Sequence, residues 1–307
     1  MKQLNSLVKV LYLSILLVAC GSQQQVEDTR DTPNKGTIYI SVEESFRPVI
    51  EEQIKVYEAS FPGTHILAAY KPEVDCMRDL QKDSTRMVIV ARGLNQQEAD
   101  YYQQQLSYKP LYGILAYDAV AVIINKAAKD SVFTMQAIKD ILSGKQDKTA
   151  VMDGKNATGT VRFLKDSVLR GANFGKNVVA AANSQEVVDI VSKRADVIGF
   201  VGLGWIGDKY DLKQEAYRKL IRLALVECVL CPEKEVFAKP SQSTITYGQY
   251  PLARPLCYIL KENATGLGTG FMNFMGLERG QLIFRRAFLA PAKMNLSRRS
   301  GRIKESE

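Results

Sequence analysis

The chain has 307 residues, with 41 Lys and Arg against 33 Asp and Glu for a formal charge of +8, and it contains one histidine, five cysteines and one tryptophan. A single histidine, His65, excludes a multi-histidine metal centre and would force any Ser-His-Asp relay through one residue. With 46% apolar and 24% charged residues the chain is ordinary globular material, long enough for one large domain or two of usual size. The positive excess points to anionic ligands or surfaces and is too modest to argue for nucleic acid.

Met1, Lys2 and Lys9 precede the apolar run Val10 to Ala19, and Leu17-Val18-Ala19-Cys20 is followed by Gly21-Ser22. That is the order of a lipoprotein export signal, and the apolar run falls well short of the roughly 20 residues that span a bilayer. The pattern resembles a lipobox, which implies removal of residues 1–19 and lipidation of Cys20. The chain would then be held to a membrane in the cell envelope, facing the periplasm or the outer surface. The following segment to Gly36 is polar and without apolar period, so 20–36 reads as a flexible tether.

Regular structure is expected from Thr37, where Ile38-Tyr39-Ile40-Ser41-Val42 forms a β-rich run. A helix should follow Pro48, since Val49, Ile50, Ile54 and Tyr57 recur at helical spacing up to Phe61-Pro62-Gly63. Ile66 to Tyr70 reads as a strand, Val74 to Lys82 as a helix, and Met87 to Ala91 as a buried strand. The alternation continues with a long strand Leu115 to Asn125, a helix Thr134 to Ser143 stopped by Gly144, and the short strand Ala150 to Met152. Then come a helix from Thr160 to about Leu169, a helix Ser184 to Lys193 and a strand Val197 to Leu203. Leu220 to Val226 and Leu256 to Leu260 add strands, and Gly270 to Met275 and Gln281 to Phe288 add helices. Strands alternating with helices imply an α/β fold whose sheets are covered on their faces. The basic tail 292–307 reads as disordered.

Asp153-Gly154-Lys155-Asn156-Ala157-Thr158-Gly159-Thr160 carries the most chemistry. A strand runs into small and hydroxyl residues, and a helix then starts. Free amides of a first helical turn, the hydroxyls of Thr158 and Thr160, and the bare backbone of Gly159 make an anion cradle, to which Arg162 could add a charged fork. An ordinary capped helix would read the same way. A second helix start, Glu43-Glu44-Ser45-Phe46-Arg47-Pro48, offers Ser45 as a cap with amides behind it, while Glu43 and Glu44 repel an oxyanion unless they point away or accept from a protonated one. Arg92 stands at the end of a buried strand, where ligands bind in open α/β sheets, or it pairs with a carboxylate nearby. Asp118 lies within an apolar strand and needs a partner or a function; pairing with Arg92 and contact with a ligand both satisfy that need. Cys228 and Cys231 form a lone CxxC that cannot make a zinc site and is compatible with a disulfide, Cys76 and Cys257 suit a core, and His65 suits a surface turn. No nucleophile is assigned a base, so nothing indicates an enzyme.

Five segments in order resemble the phosphate-type periplasmic substrate-binding proteins of ABC transporters. They are Ala116 to Lys126, Phe133 to Lys145, Asn156 to Thr160, Asn183 to Val188 with Ile198 to Gly204, and Tyr250 to Leu256. The resemblance implies a two-lobed periplasmic-binding-protein (type II) fold, each lobe a mixed sheet covered by helices, with the ligand cleft between them. Lobe one would be 37–116 plus 251–291, and lobe two 117–250. It implies capture of inorganic phosphate or a related oxyanion for ABC permease subunits by a monomer, without cofactor, metal or nucleic acid. Carried over by position, Ser45, Phe46 through its amide, Thr158, Gly159 and Thr160 would contact the anion, and Arg92 matches an arginine element of the family. With Asp118 and Arg162 these are the expected ligand-binding residues. Lys71-Pro72-Glu73-Val74-Asp75 departs from the family by placing carboxylates where many relatives have hydroxyls. Those departures keep open a second reading, in which the same fold serves a sensory or surface-interaction lipoprotein without tight phosphate binding.

Overall fold

A computed structural model describes residues 31–154 and 158–293. Cys20 and the segment read as an export signal, most of the expected tether, Lys155-Asn156-Ala157 and the tail from residue 294 lie outside the described residues. The strands are β1 (Lys35–Glu43), β2 (Gly63–Lys71), β3 (Thr85–Val90), β4 (Leu111–Asn125), β5 (Val132–Phe133), β6 (Thr149–Asp153), β7 (Val178–Ala181), β8 (Val197–Gly202), β9 (Ile221–Leu223), β10 (Leu225–Glu227), β11 (Phe237–Ala238), β12 (Ala253–Leu260) and β13 (Ala290–Pro291). The helices are α1 (Arg47–Ser60), α2 (Glu73–Asp79), α3 (Gln96–Leu106), α4 (Met135–Leu142), α5 (Gly159–Phe163), α6 (Ser184–Lys193), α7 (Leu212–Arg218), α8 (Gln242–Thr246), α9 (Leu267–Gly276) and α10 (Glu278–Arg286).

Among the described residues the main sheet runs β2-β1-β3-β12-β4-β8-β6-β7. The β1 strand is parallel to β2 and β3, β12 is antiparallel to both β3 and β4, and β6 is parallel to β7 and β8. The long strand β4 holds the two ends together. Its first part pairs with β12 over Leu111 to Ala119, and its second part pairs with β8 over Val120 to Ile124. Two separate hydrophobic clusters follow this division. One gathers Ile38, Ile40, Phe46, Ile50, Tyr57, Met87, Leu256 and Phe271; the other gathers Val120, Val122, Ile138, Met152, Val188, Ile198 and Phe200. We call the regions around them the first and second lobes. The described residues from Asp31 belong to one compact unit.

Local sequence explains most boundaries. Pro48 sits in the first turn of α1, where its missing amide hydrogen costs nothing, and buried Val49, Ile50, Gln53 and Tyr57 line its inner face. Asn183 caps α6 by accepting from the Glu186 amide, and Val187, Val188 and Val191 face the core. The helix expected from Thr160 to Leu169 begins at Gly159, and from Leu164 to Val168 it winds as a π-helix. The strand expected over Leu220 to Val226 divides at Ala224 into β9 and β10, which pair with different partners. Residues 31–36, placed in the tether by composition, are tied to the fold: Asp31 bonds the Arg86 guanidinium at 3.2 Å and accepts from the Leu267 amide at 2.7 Å. His65 lies on the exposed side of β2 and not in a turn. Cys228 and Cys231 form a disulfide, and Cys76 and Cys257 are buried thiols.

Candidate functional site

Four chain segments bring polar side chains to one buried point between the lobes. The end of β1 with the short 3-10 turn Glu44–Phe46 supplies Glu43 and Ser45; β4 supplies Asp118; the end of β6 with the start of α5 supplies Asp153, Thr158 and Thr160; β12 supplies Arg254. All of these are no more than 7% exposed. Arg254 is the hub. Its Nε donates to Asp118 Oδ2 at 3.1 Å, its Nη2 to Ser45 Oγ at 2.8 Å, and its Nη1 to Thr160 Oγ1 at 3.4 Å. Glu43 Oε1 is 3.6 Å from Nη1, and the Phe46 ring lies under the guanidinium at 5.0 Å.

One guanidinium thus faces three buried carboxyls, Glu43, Asp118 and Asp153, and the charges do not balance. Burial works against the charge on Arg254, but the three carboxyls hold its pKa above the usual value. The carboxyls respond in the other direction. Burial pushes Glu43 up to about 7 against the pull of Arg254, with Glu73 adding to the rise. Burial, then Glu43 and Glu44, push Asp153 up to about 7. Asp118 is raised by burial despite Arg254, and it also accepts from the Leu203 amide at 3.1 Å. Two carboxyls of this cluster therefore titrate near neutrality.

Thr158 and Gly159 shape the start of α5. Thr158 Oγ1 accepts from the Val161 amide at 3.2 Å and donates to the Asp153 carbonyl at 2.8 Å, capping α5. Gly159 is required by close approach: a Cβ there would stand 2.5 Å from both Glu43 carboxylate oxygens. Ser184, the first residue of α6, donates to Glu44 Oε2 at 2.7 Å and lies 3.3 Å from Asp153 Oδ2, tying the first lobe to the second. An open cavity of about 910 Å³ leads to this point, lined by Glu44, Arg47, Tyr70, Asp153, Thr158 and Trp205 among others. Glu43, Ser45 and Arg254 are buried and do not line it.

The structure brings together five of the residues expected to act together, namely Ser45, Phe46, Asp118, Thr158 and Thr160, with Gly159 against Glu43. It separates two others. Arg92 makes a two-point pair with Glu98 of α3, at 2.7 and 2.8 Å, and is not the partner of Asp118; that partner is Arg254, at 3.0 Å. The reason is register, because Arg254 of β12 lies directly opposite Asp118 of β4. Arg162 turns from the cradle to Glu73, bonding it through Nε and through Nη2 at 3.1 Å, and so closes a second link between the lobes. Asp75 pairs with Arg78 at 2.8 Å and takes no part. Arg254, Asp153 and Ser184 were missed as site residues. Two signals were available for Arg254: a guanidinium in an otherwise apolar strand, with Pro255-Leu256-Cys257 following it, and its place within the family-like segment Tyr250 to Leu256.

Comparison with known proteins places the fold. A model of the PBP superfamily domain matches residues 28–278. The phosphate-binding protein PstS of Pseudomonas aeruginosa, in strains PAO1 and UCBPP-PA14, is 24% identical over 222 residues, which is 64% of this chain and 64% of each relative's length. A phosphate ABC transporter substrate-binding protein from Clostridium perfringens, solved with bound phosphate, superposes with a TM-score of 0.68 at 20% identity over 84% of this chain and 100% of that one. An ABC-type phosphate transport receptor from Vibrio cholerae gives 0.61 at 17% identity over 82% and 99%. These structures share its fold, a mixed α/β periplasmic-binding-protein architecture. The chain belongs to the PBP superfamily domain family, and its sequence is similar to that of PstS.

Proposed function

We propose that this protein is a lipid-anchored solute-binding protein that captures phosphate or a related oxyanion in the cell envelope and delivers it to the permease subunits of an ABC-type import system. The observation that carries the reading is convergence: hydroxyls and backbone of Thr158, Gly159 and Thr160 from the second lobe meet Ser45 and Arg254 from the first at one buried point. Such a set binds an anion by hydrogen bonds from both sides of a cleft, and the only chemistry asked of it is capture. The resemblance to a phosphate-binding protein and to a structure solved with bound phosphate supports the ligand class, and the lipobox at Cys20 supports the anchor.

Calorimetric titration with phosphate, sulfate, molybdate and tungstate tests the reading. Saturable heat with at least one of them is expected; none with any would favour the sensory alternative. Thr160→Val removes one hydroxyl from the cradle and should weaken phosphate binding by about 1–3 kcal/mol.

A further inference from the structure

The cavity that meets the buried point at Asp153 and Thr158 has a volume of about 910 Å³, which is the size of sites that hold whole organic molecules. A free phosphate would fill a small part of it. The volume is present while the lobes are linked, since Arg162 bonds Glu73, Ser184 bonds Glu44 and Arg254 bonds Thr160. Two of the carboxyls on its wall stand without a cation. The Ser184 hydroxyl bridges Glu44 Oε2 at 2.7 Å and Asp153 Oδ2 at 3.3 Å, and among the described residues neither carboxyl makes an ion pair. Arg47, Lys71 and Arg286 of the same wall are taken up by Glu51, Asp79 and Asp208. The wall also carries aromatic rings. The Arg47 guanidinium lies over Tyr70 at 5.0 Å and that of Arg286 over Tyr210 at 5.4 Å. Among the described residues no cation lies over Trp205, whose turn, Leu203–Trp205, packs against the turn Glu44–Phe46.

We propose that this site prefers a phosphate monoester whose organic part bears an ammonium group, with the phosphate at Thr158, Gly159 and Thr160 and the ammonium among Glu44, Asp153 and Trp205. This rests on the oxyanion reading above and narrows it. Charge gives the first reason. An inorganic anion adds negative charge to a region where Glu43, Asp118 and Asp153 already share one guanidinium, whereas an ammonium supplies the counter-charge that Glu44 and Asp153 lack. The second reason is the indole of Trp205, because of the aromatic rings it attracts a cation most strongly. On neighbouring tyrosines Arg47 and Arg286 already make that contact. Size gives the third: with the phosphate at the buried point, the ester's organic part enters a cavity that has room for it.

The test is titration calorimetry of the full-length chain in an uncharged detergent at about pH 8, with inorganic phosphate, glycerol phosphate, phosphoethanolamine and phosphocholine as probes. Wild type should bind at least one of the two ammonium esters about tenfold more tightly than inorganic phosphate or glycerol phosphate. Trp205→Leu should remove most of that preference while changing inorganic phosphate binding by less than about threefold. Glycerol phosphate separates charge from size, so its binding as tightly as the ammonium esters would overturn the proposal. Inorganic phosphate binding as tightly as those esters would also overturn it and leave oxyanion capture standing; no binding of any probe would overturn both. An equal loss for every probe in Trp205→Leu would overturn the placement of the ammonium in this cavity. The same charged group occurs on a phospholipid head as a diester. Glycerophosphocholine should therefore bind more weakly than phosphocholine, having one fewer free phosphate oxygen for the cradle, and equal affinity would overturn the monoester assignment. The order of wild-type affinities decides even if the variant does not fold.

Discussion

Arg254 is fully buried and bonded to Asp118, Ser45 and Thr160, so its removal leaves carboxyls in the interior without their counter-charge. Arg254→Met should lower stability by about 3–5 kcal/mol in urea unfolding at neutral pH, and by less in mild acid where Glu43 and Asp153 take up protons. Lys at this position would not restore the wild-type value, because one ammonium cannot reach three acceptors in the plane that a guanidinium spans. At this scale the sequence was half legible. The hydroxyls and the glycine of the cradle could be read locally, since a helix start announces itself in its own few residues. The partner of Asp118 could not, because it sits 136 positions away and is set by the pairing of β12 with β4. Arg92 satisfies its charge on Glu98, six residues on, inside a capping box that opens α3.

The strands and helices that carry the site were the more legible level. The α6 helix was readable at both ends because a capping asparagine and a valine stripe agree, and β3 because a short continuous apolar run has few other uses. Helix α3 escaped detection: of Gln96 to Leu106 it buries only Tyr102, so it has no apolar period to read. The packing of α6 on β8 also makes a sharp prediction. A Cβ on Gly199 would stand 2.6 Å from Val191 Cγ2 and 2.8 Å from Ile123 Cγ1, both fully buried. Gly199→Ala should therefore destabilise by about 1–3 kcal/mol through overpacking, measured as a lower urea midpoint with an unchanged slope.

Across the whole molecule the buried carboxyls tie stability to pH. Glu43 and Asp153 titrate near 7 when folded, whereas carboxyls of an unfolded chain titrate near about 4. Between those values the folded state holds more protons, so stability should fall as pH rises through that window and level off above it. Asp79, held low by Lys71 and Lys82 against its burial, acts with the opposite sign and only in stronger acid. Thermal unfolding of wild type should therefore occur at a higher temperature near pH 5.5 than near pH 7.5, and Glu43→Gln with Asp153→Asn should flatten the difference. The three links that cross between the lobes carry a consequence of another kind. Arg162 with Glu73, Ser184 with Glu44, and Arg254 with Thr160 all lie beside the cradle. On the oxyanion reading, Arg162 with Glu73 and Ser184 with Glu44 would enclose a captured ion by bonds that the protein makes to itself, whereas Arg254 and Thr160 belong to the cradle as well. How long it dwells and how tightly it binds become separately adjustable, the first by the latch and the second by the cradle.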